Sequence, residues 1–482
     1  DCLLSRGLGD VYKRQVLVML FIAVTMSAQV TTATMSGKVT AQDEPIIGAT
    51  VVAVHEPSGT RYGTVTNVSG QFNLQGMRTG GPYKVEISYV GYQTAIYKGI
   101  NLSLGENYVL NVSLKESSEL LDEIVVTASK ESNMKSDRAG AVTNLTSAKI
   151  ASIPTVSRSM NDIMRLSPQS NTTSNGFAAG GGNYRQSFVT VDGASFNNAF
   201  GIGSNLPAGG APISLDALEQ LSVSITPYDV RQSGFTGAAI NAVTKSGTNE
   251  LTGSAYTFLT NNNLIGDRVG DGSIELEKSH QYTYGATLGG AIVKNKLFFF
   301  VNGEYEDDLT AGPVARARNN DGEKYGENGV HRPVASKMDE IRDYLINTYD
   351  YDPGAYQGYN VKVPSYKFLA RVDWNINENN RVNVRFSKTN NRYDASPSSS
   401  VNPMTATTIF PGDEGKGMSS GKGASSDEGL YFRNTRYRQE QRFTSIAAEW
   451  NSKWGMLNNT LRGTYSYPVS YTHLRAHETR GN

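Results

Sequence analysis

The period of apolar and polar positions changes several times along this chain. From Val16 to Val24 the run VLVMLFIAV is apolar throughout, follows Lys13 and Arg14, and has the length of an export-signal core. It is too short for the ~20 residues that span a bilayer as a helix. Ser27-Ala28 before Gln29 offers a small-residue cleavage point, so residues 16–28 read as a partial signal peptide. Between 34 and 115, alternating runs (MSGKVTA, GATVVAV, GTVTNV, GQFNLQG, YKVEISYV, YVLNVSL) separated by turn residues have the spacing of a small β-sandwich. Val51, Ala53, Val85, Ile87 and Tyr89 take its inner positions. Residues 120–130, LLDEIVVTASK, are either a segment able to add to a partner's sheet edge or an ordinary strand or linker. The stretch 131–249 is rich in Gly, Asn and Ser but holds ordered islands. These are a short helix over 159–166 (SMNDIMRL), a strand over 188–192 (FVTVD) running into Gly193, and a capped turn passing into a strand over 213–225.

Beyond residue 249 come seven longer strand-like runs, at 251–260, 281–293, 296–308, 366–376, 381–391, 442–451 and 457–467. In the fourth, Phe368, Ala370, Val372, Trp374 and Ile376 alternate with Lys367, Arg371, Asp373 and Asn375. Val382, Val384 and Phe386 repeat the pattern against Arg381, Asn383 and Arg385. A soluble sandwich turns such an apolar face inward, whereas a membrane barrel turns it to lipid and its charged face to the lumen. The connections separate the two, because long links (261–280, 309–365, 392–441) alternate with short ones (294–295, 377–380, 452–456). That alternation is what short periplasmic turns and long extracellular loops produce. Tyr and Trp near strand ends (Trp374, Trp450, Tyr465, Tyr467) suit interfacial girdles, and 336–349 carries a short amphipathic helix inside one long loop.

Composition narrows the chemistry. Equal numbers of basic and acidic side chains, 45 each, remove the basic face of a general nucleic-acid binder. One cysteine, Cys2, closes no intrachain disulfide, and no Cys/His cluster has zinc-site spacing. No P-loop occurs, no histidine lies in a G-x-S-x-G or H-E-x-x-H setting, and His55 has no ligand-forming neighbours, so neither enzyme activity nor a cofactor is expected. The acidic pairs Asp267/Asp271 and Asp321/Glu323 lack EF-hand spacing and read as solvated loop charge. A mean hydropathy of -0.39 excludes a helical membrane protein but not a barrel, whose polar lumen face dilutes the average. Residues 1–15 and 468–482 match neither neighbouring pattern and resemble translated library adapter. On that reading Cys2, His473 and His477 carry no biological information.

Several motifs resemble known families. Gly37/Val39, Gly48-Ala49-Thr50-Val51, Gly70/Phe72 and Tyr89-Val90-Gly91-Tyr92 resemble the carboxypeptidase regulatory-like domain, a name that implies no peptidase activity. Asp122, Glu123, Ile124, Val125, Val126, Thr127 and Ala128 resemble the TonB box of TonB-dependent outer-membrane receptors. MNDIMRLSPQ, FVTVDGASF and the run from Leu215 to Glu250 resemble the plug of that family, and INAVTKSGTN its Oar-like branch. Asp192, Gly193, Glu219, Gly237, Asn241, Thr244, Lys245 and Gly247 fall on the plug signature. The resemblance implies that Glu219, Asn241 and Lys245 hold the plug in the barrel lumen.

The expected fold is all-β dominated: an N-terminal β-sandwich (34–115), a box-like segment (120–130), a mixed α/β plug (131–249) and the first part of a transmembrane antiparallel β-barrel (250–467). About seven strands stand against the roughly 22 of complete plugged transporters. The resemblance further implies residence in the outer membrane of a Gram-negative cell, with the N-terminal domain in the periplasm. It implies TonB as a partner, outer-membrane lipid around the barrel, and import of an extracellular ligand such as an oligosaccharide, a peptide or a metal chelate. A surface lipoprotein is a further expected partner. The alternative is an Oar-like protein for adhesion or protein export.

Overall fold

The computed structural model describes residues 30–116, 124–127, 142–155, 158–168, 170–173, 176–198, 205–207, 211–225, 232, 234–266, 268–269, 272–273, 278–312, 315–326, 329–395, 429–455 and 457–474. The expected adapter at 1–15 and signal at 16–28 lie outside them. So do Asp122, Glu123, Ala128, Asp267 and Asp271.

Short alternating runs separated by glycine turns fold the N-terminal body into two sheets. In one, β1 (Ala33–Ala41) pairs antiparallel with β2 (Glu44–Pro45) and β5 (Gln71–Met77), and parallel with β8 (Asn107–Val109) and β9 (Val112–Ser113). The other has the order β10 (Ile124–Thr127), β7 (Ala95–Leu102), β6 (Gly80–Ser88), β3 (Thr50–His55), β4 (Thr60–Val65). Val51, Ala53, Val85 and Ile87 meet Met35, Val39, Phe72 and Leu74 in the shared core. Each large aliphatic or aromatic side chain buried there contributes about 1.5–3 kcal/mol of transfer free energy. Tyr89, expected on the same inner face, lies past the end of β6 and is exposed, because the chain has already entered the turn at Gly91.

The second body is a sheet of order β11 (Val142–Thr146), β16 (Leu218–Ser224), β17 (Ala239–Thr244), β14 (Phe188–Val191), β15 (Ala194–Ser195). Helices α1 (Ser147–Ser152) and α2 (Met160–Met164) and the hairpin β12 (Ser170–Thr173) to β13 (Gly176–Ala179) cover it. Helix α2 begins where the sequence has a cap: Ser159 Oγ accepts from Asp162 N at 3.3 Å, and Asp162 reaches back to the Ser159 amide. All six residues of β17 are buried, as a central strand requires. The apolar core of this body, the expected plug, continues into Phe300, Leu369, Phe443 and Ala447 of the third, so it is seated against that wall.

That third body is a seven-stranded antiparallel meander. Its strands are β18 (Thr252–Asn261), β21 (His280–Val293), β22 (Leu297–Ala311), β25 (Asn360–Asn377), β26 (Asn380–Ala395), β27 (Tyr437–Trp454) and β28 (Leu457–Leu474). The long links carry the short pairs β19 (Arg268–Val269) with β20 (Gly272–Ser273) and β23 (Arg316–Arg318) with β24 (Val330–Val334), and helix α3 (Ala335–Tyr349). Met338 of α3 is buried against Ala317 and Tyr356, while Ile341, Tyr344 and Tyr349 are exposed. No helix among the described residues is long and apolar enough to cross a membrane.

Burial along the meander is inverted relative to a water-soluble sheet. On β25, Lys367, Leu369, Arg371 and Asp373 are buried, whereas Tyr366, Phe368, Val372, Trp374 and Ile376 face outward. Neighbouring residues on β26 repeat it, with Arg385 1% exposed and Val384 43%. An aromatic and aliphatic exterior over a charged interior is stable only where the exterior meets hydrocarbon.

The strands outrun the expected lengths: β25, β27 and β28 each have 18 residues. At about 3.3 Å per residue, such a strand reaches roughly 60 Å, more than a tilted crossing of the membrane needs. The wall therefore continues beyond the bilayer on the side of the long connections. Strand β28 passes through Pro468 to Leu474, into the stretch read as adapter, since an edge strand tolerates proline and backbone pairing asks little of side chains. Tyr465 and Tyr467, expected at a strand end, thereby fall mid-strand, and Trp450 lies inside β27 rather than at its end, which Trp454 takes, while Trp374 stays near the short turn after β25.

Candidate functional site

Strand β14 ends at Val191, and the turn into β15 holds Asp192 at φ 47° and Gly193 at φ 78°. Gly193 is fitted to this turn twice over, because a Cβ there would also press on the Arg462 side chain. The turn aims the Asp192 carboxylate at the barrel wall. Its Oδ1 accepts from Thr244 N at 3.0 Å and its Oδ2 from Thr244 Oγ1 at 2.7 Å. Arg371 Nη1 lies 3.3 Å from Oδ1, and Arg385 Nε 3.1 Å from Oδ2. Arg371 also donates from Nη1 to Thr244 O at 2.8 Å and from Nη2 to Asp373 at 2.9 Å. Asp373 in turn meets Arg78 Nη2 at 3.1 Å, on the turn between β5 and β6 of the sandwich.

A line of alternating charges, Arg385, Asp192, Arg371, Asp373 and Arg78, thus joins wall, plug and sandwich. Burying an isolated ion costs several kcal/mol, so these groups are stable inside only because opposite charges stand beside them. A second tie lies at Glu304, which accepts from Lys367 Nζ at 2.8 Å, Tyr256 OH at 2.8 Å and Ser214 Oγ of the plug at 2.7 Å. A third joins Glu449 to Arg462 and to Thr31, ahead of β1.

The sandwich is fixed to the end of the barrel that carries the short turns. Asn249 N donates to Pro57 O at 2.8 Å, Asn375 Nδ2 to Thr60 Oγ1 at 3.0 Å and Lys453 Nζ to Gly63 O at 2.7 Å. Arg381 Nη2 donates to Arg61 O at 2.8 Å with its guanidinium 4.0 Å over the Tyr62 ring. Towards the plug, the Gln220 amide acts as an extra peptide unit, donating to Leu102 O at 3.0 Å and accepting from Leu104 N at 2.8 Å. A polar cavity of about 410 Å³ remains between sandwich and rim, lined by Arg61, Gln75, Glu378, Arg381 and Lys453 among others. Behind this contact His55 shares its Nδ1 with Ser58 Oγ at 2.7 Å. Burial and the nearby Arg78 push its pKa down to about 3, so the ring is neutral.

The other expected residues are placed as follows. Glu219 lies beside Gly80 of the sandwich; burial pushes its carboxyl up, against the pull of Lys245, Arg78 and Arg371. The backbone of Lys245 donates to Ala217 O at 2.8 Å. Asn241 stays within the plug rather than reaching the wall: it accepts from Thr190 Oγ1 at 2.8 Å, because β17 is central and its side chains meet those of its registered neighbour β14. Gly237 N donates to Gln186 O at 3.1 Å. Gly247 passes so close to β21 and β22 that a Cβ would fall on the carbonyls of Gly290 and Phe299. Of the box-like residues, Ile124–Thr127 form β10, paired parallel with β7. Glu323 is taken up by Arg316 at 2.7 Å, and among the described residues no three His, Cys, Asp or Glu side chains converge as a metal site would require. The alternation of β25 and β26 marks Lys367, Arg371, Asp373 and Arg385 as lumen-facing. Arg78, Ser214 and Gln220 carry no periodic signal, since their partners come from distant parts of the chain. This arrangement restrains and connects.

Residues 34–115 match the carboxypeptidase regulatory-like domain, and residues 243–423 an outer membrane beta barrel domain. The TonB-dependent transporter Oar of Myxococcus xanthus is 24% identical over 378 residues, 73% of this chain and 33% of that protein. The TonB-dependent receptor SusC of Bacteroides thetaiotaomicron is 31% identical over 131 residues, 27% of this chain and 12% of that protein. Among solved structures, the siderophore receptor PirA from Acinetobacter baumannii aligns at a TM-score of 0.44 and 17% identity, over 68% of this chain and 40% of that one. The chain spans about a third of the length of Oar. It carries a carboxypeptidase regulatory-like domain and an outer-membrane β-barrel domain, belongs to the outer membrane, and is a homologue of the TonB-dependent transporter Oar.

Proposed function

We propose that this chain belongs to a receptor that binds an extracellular ligand with its long loops and plug and imports it with energy delivered through TonB. The observation that carries this reading is the inverted wall closed on a plug by buried charges, with the box-like strand β10 on the same side as the short turns. Residues 122–128 are the TonB-binding segment in this reading, and the sandwich is periplasmic. Asp192, Glu219, Thr244 and Lys245 hold the plug at rest, so opening a path requires separating Asp192 from Arg371 and Arg385. Ligand classes that suit such a receptor are oligosaccharides, peptides and metal chelates, delivered with or without a surface lipoprotein.

The test is deletion of residues 122–128 in the full-length protein, with labelled siderophores, oligosaccharides and peptides offered to whole cells. Uptake of the ligand that binds should be abolished while its surface binding is retained. Unchanged uptake refutes the proposal.

A further inference from the structure

Strand β10 lies between the sandwich, which ends with β9, and the plug, which begins with β11. In this structure it belongs to the sandwich. Ile124, Val125, Val126 and Thr127 register with Ala95, Ile96, Tyr97 and Lys98, completing the sheet at the edge of β7. Without them that stretch of β7 would be an open edge, with backbone donors and acceptors turned outward.

We infer that the β7 edge is the resting dock of the box-like segment, and that its periplasmic partner takes the segment from the dock by strand exchange. This rests on the reading of residues 122–128 as the TonB-binding segment. The argument is one of connectivity. The dock is fixed at the barrel rim by Arg381, Lys453 and Asn375, to the wall by Arg78 and to the plug by Gln220. A partner adding to the outer edge of β10 while the segment stayed on β7 would pull on the sandwich and, through it, on the rim. Only when the segment leaves β7 does tension pass along residues 128–141 into β11, which pairs with β16 of the plug sheet. Exchange is chemically even, because a partner strand replaces the backbone hydrogen bonds that β7 gives up. The sandwich is in this sense a keeper that makes pulling on the plug conditional on capture of the segment.

The experiment uses the full-length protein in its outer membrane, with native cysteines replaced. One variant carries Val126→Cys with Tyr97→Cys, which are register partners. A control carries Val126→Cys with Thr64→Cys, on β4 at the far edge of the same sheet. Under mild oxidation the first pair should form an intrachain disulfide and the control should not. The oxidised first variant should lose TonB co-purification and uptake at least tenfold, with both restored by reductant. Failure of the first pair to cross-link, or undiminished TonB capture by the cross-linked form, overturns the inference. If the disulfide forms but the reduced variant, the single Val126→Cys protein and the unsubstituted protein all ignore TonB, the reading of residues 122–128 has failed. The exchange step then falls with it.

Discussion

Replacing Asp192 with asparagine removes one negative charge from between two buried guanidinium groups and turns Oδ2, the acceptor that Thr244 Oγ1 and Arg385 Nε face, into an amide donor. Asparagine keeps the shape, tolerates the left-handed backbone at φ 47°, and still accepts the hydrogen bond from Thr244 N. Arg371 retains Asp373 as a counter-charge, but Arg385, 1% exposed, keeps the hydroxyls of Ser387 and Ser445 and the face of the Phe196 ring, none of which carries a charge. Breaking a buried ion pair from one side costs about 3–5 kcal/mol, because the surviving charge is left uncompensated. The lower end applies here, since Arg371 stays paired. About 3 kcal/mol is roughly a hundredfold in the ratio of loosened to seated plug. A cysteine at buried Ser224, labelled with a maleimide in the full-length protein across a urea series, reads plug release directly. Asp192→Asn should move labelling to clearly lower urea. The double variant Asp192→Asn with Arg385→Met should recover part of the loss, with a coupling of about 2 kcal/mol between the two sites. Equal labelling of the wild type and Asp192→Asn, or strict additivity in the double variant, refutes the claim that this carboxylate holds the plug.

Other expectations follow from the same geometry. Val372→Arg puts a charge on the lipid face of β25 and should cost about 2–4 kcal/mol, seen as loss of the heat-modifiable band of the assembled barrel in gels. Arg78→Met cuts the ion pair from the sandwich to Asp373, and limited proteolysis between sandwich and plug should speed up by about tenfold while the barrel stays intact. His55 has a folded pKa near 3 against 6.5 unfolded, so between those values the unfolded chain binds more protons. Stability is therefore full above about pH 6.5 and falls on acidification towards pH 3, by up to ~1.4 kcal/mol per pH unit. Thermal melts of the sandwich should show that slope between pH 6 and 4, and His55→Gln should flatten it.

Much of the architecture was legible because alternation is a local property. Phe368 to Ile376 announces a two-faced strand, and the alternation of long and short links decides which medium each face meets. The short helix over 159–166 and the turn at Asp192-Gly193 were equally local. Strand ends were not, because β27 and β28 continue for as long as a neighbour offers backbone partners, whatever their side chains. The candidate site divided the same way. Arg371, Asp373 and Arg385 could be assigned to the lumen from alternation, but the pairing of the two arginines with Asp192 joins residues 179 and more apart in sequence. Arg78 and Gln220 look like ordinary surface residues until the sandwich is set against the rim.

The short turns of the wall, read first as mere hairpins, are also the sockets in which the sandwich sits, through Asn375, Arg381 and Lys453. The two ends of the barrel therefore differ in what change they admit. An inserted epitope or a lengthened segment in the long connections alters only the loops at that end. One added residue at a short turn shifts a socket against a domain held at several other points. Variation has its room at one end of the barrel only, the end of the long connections.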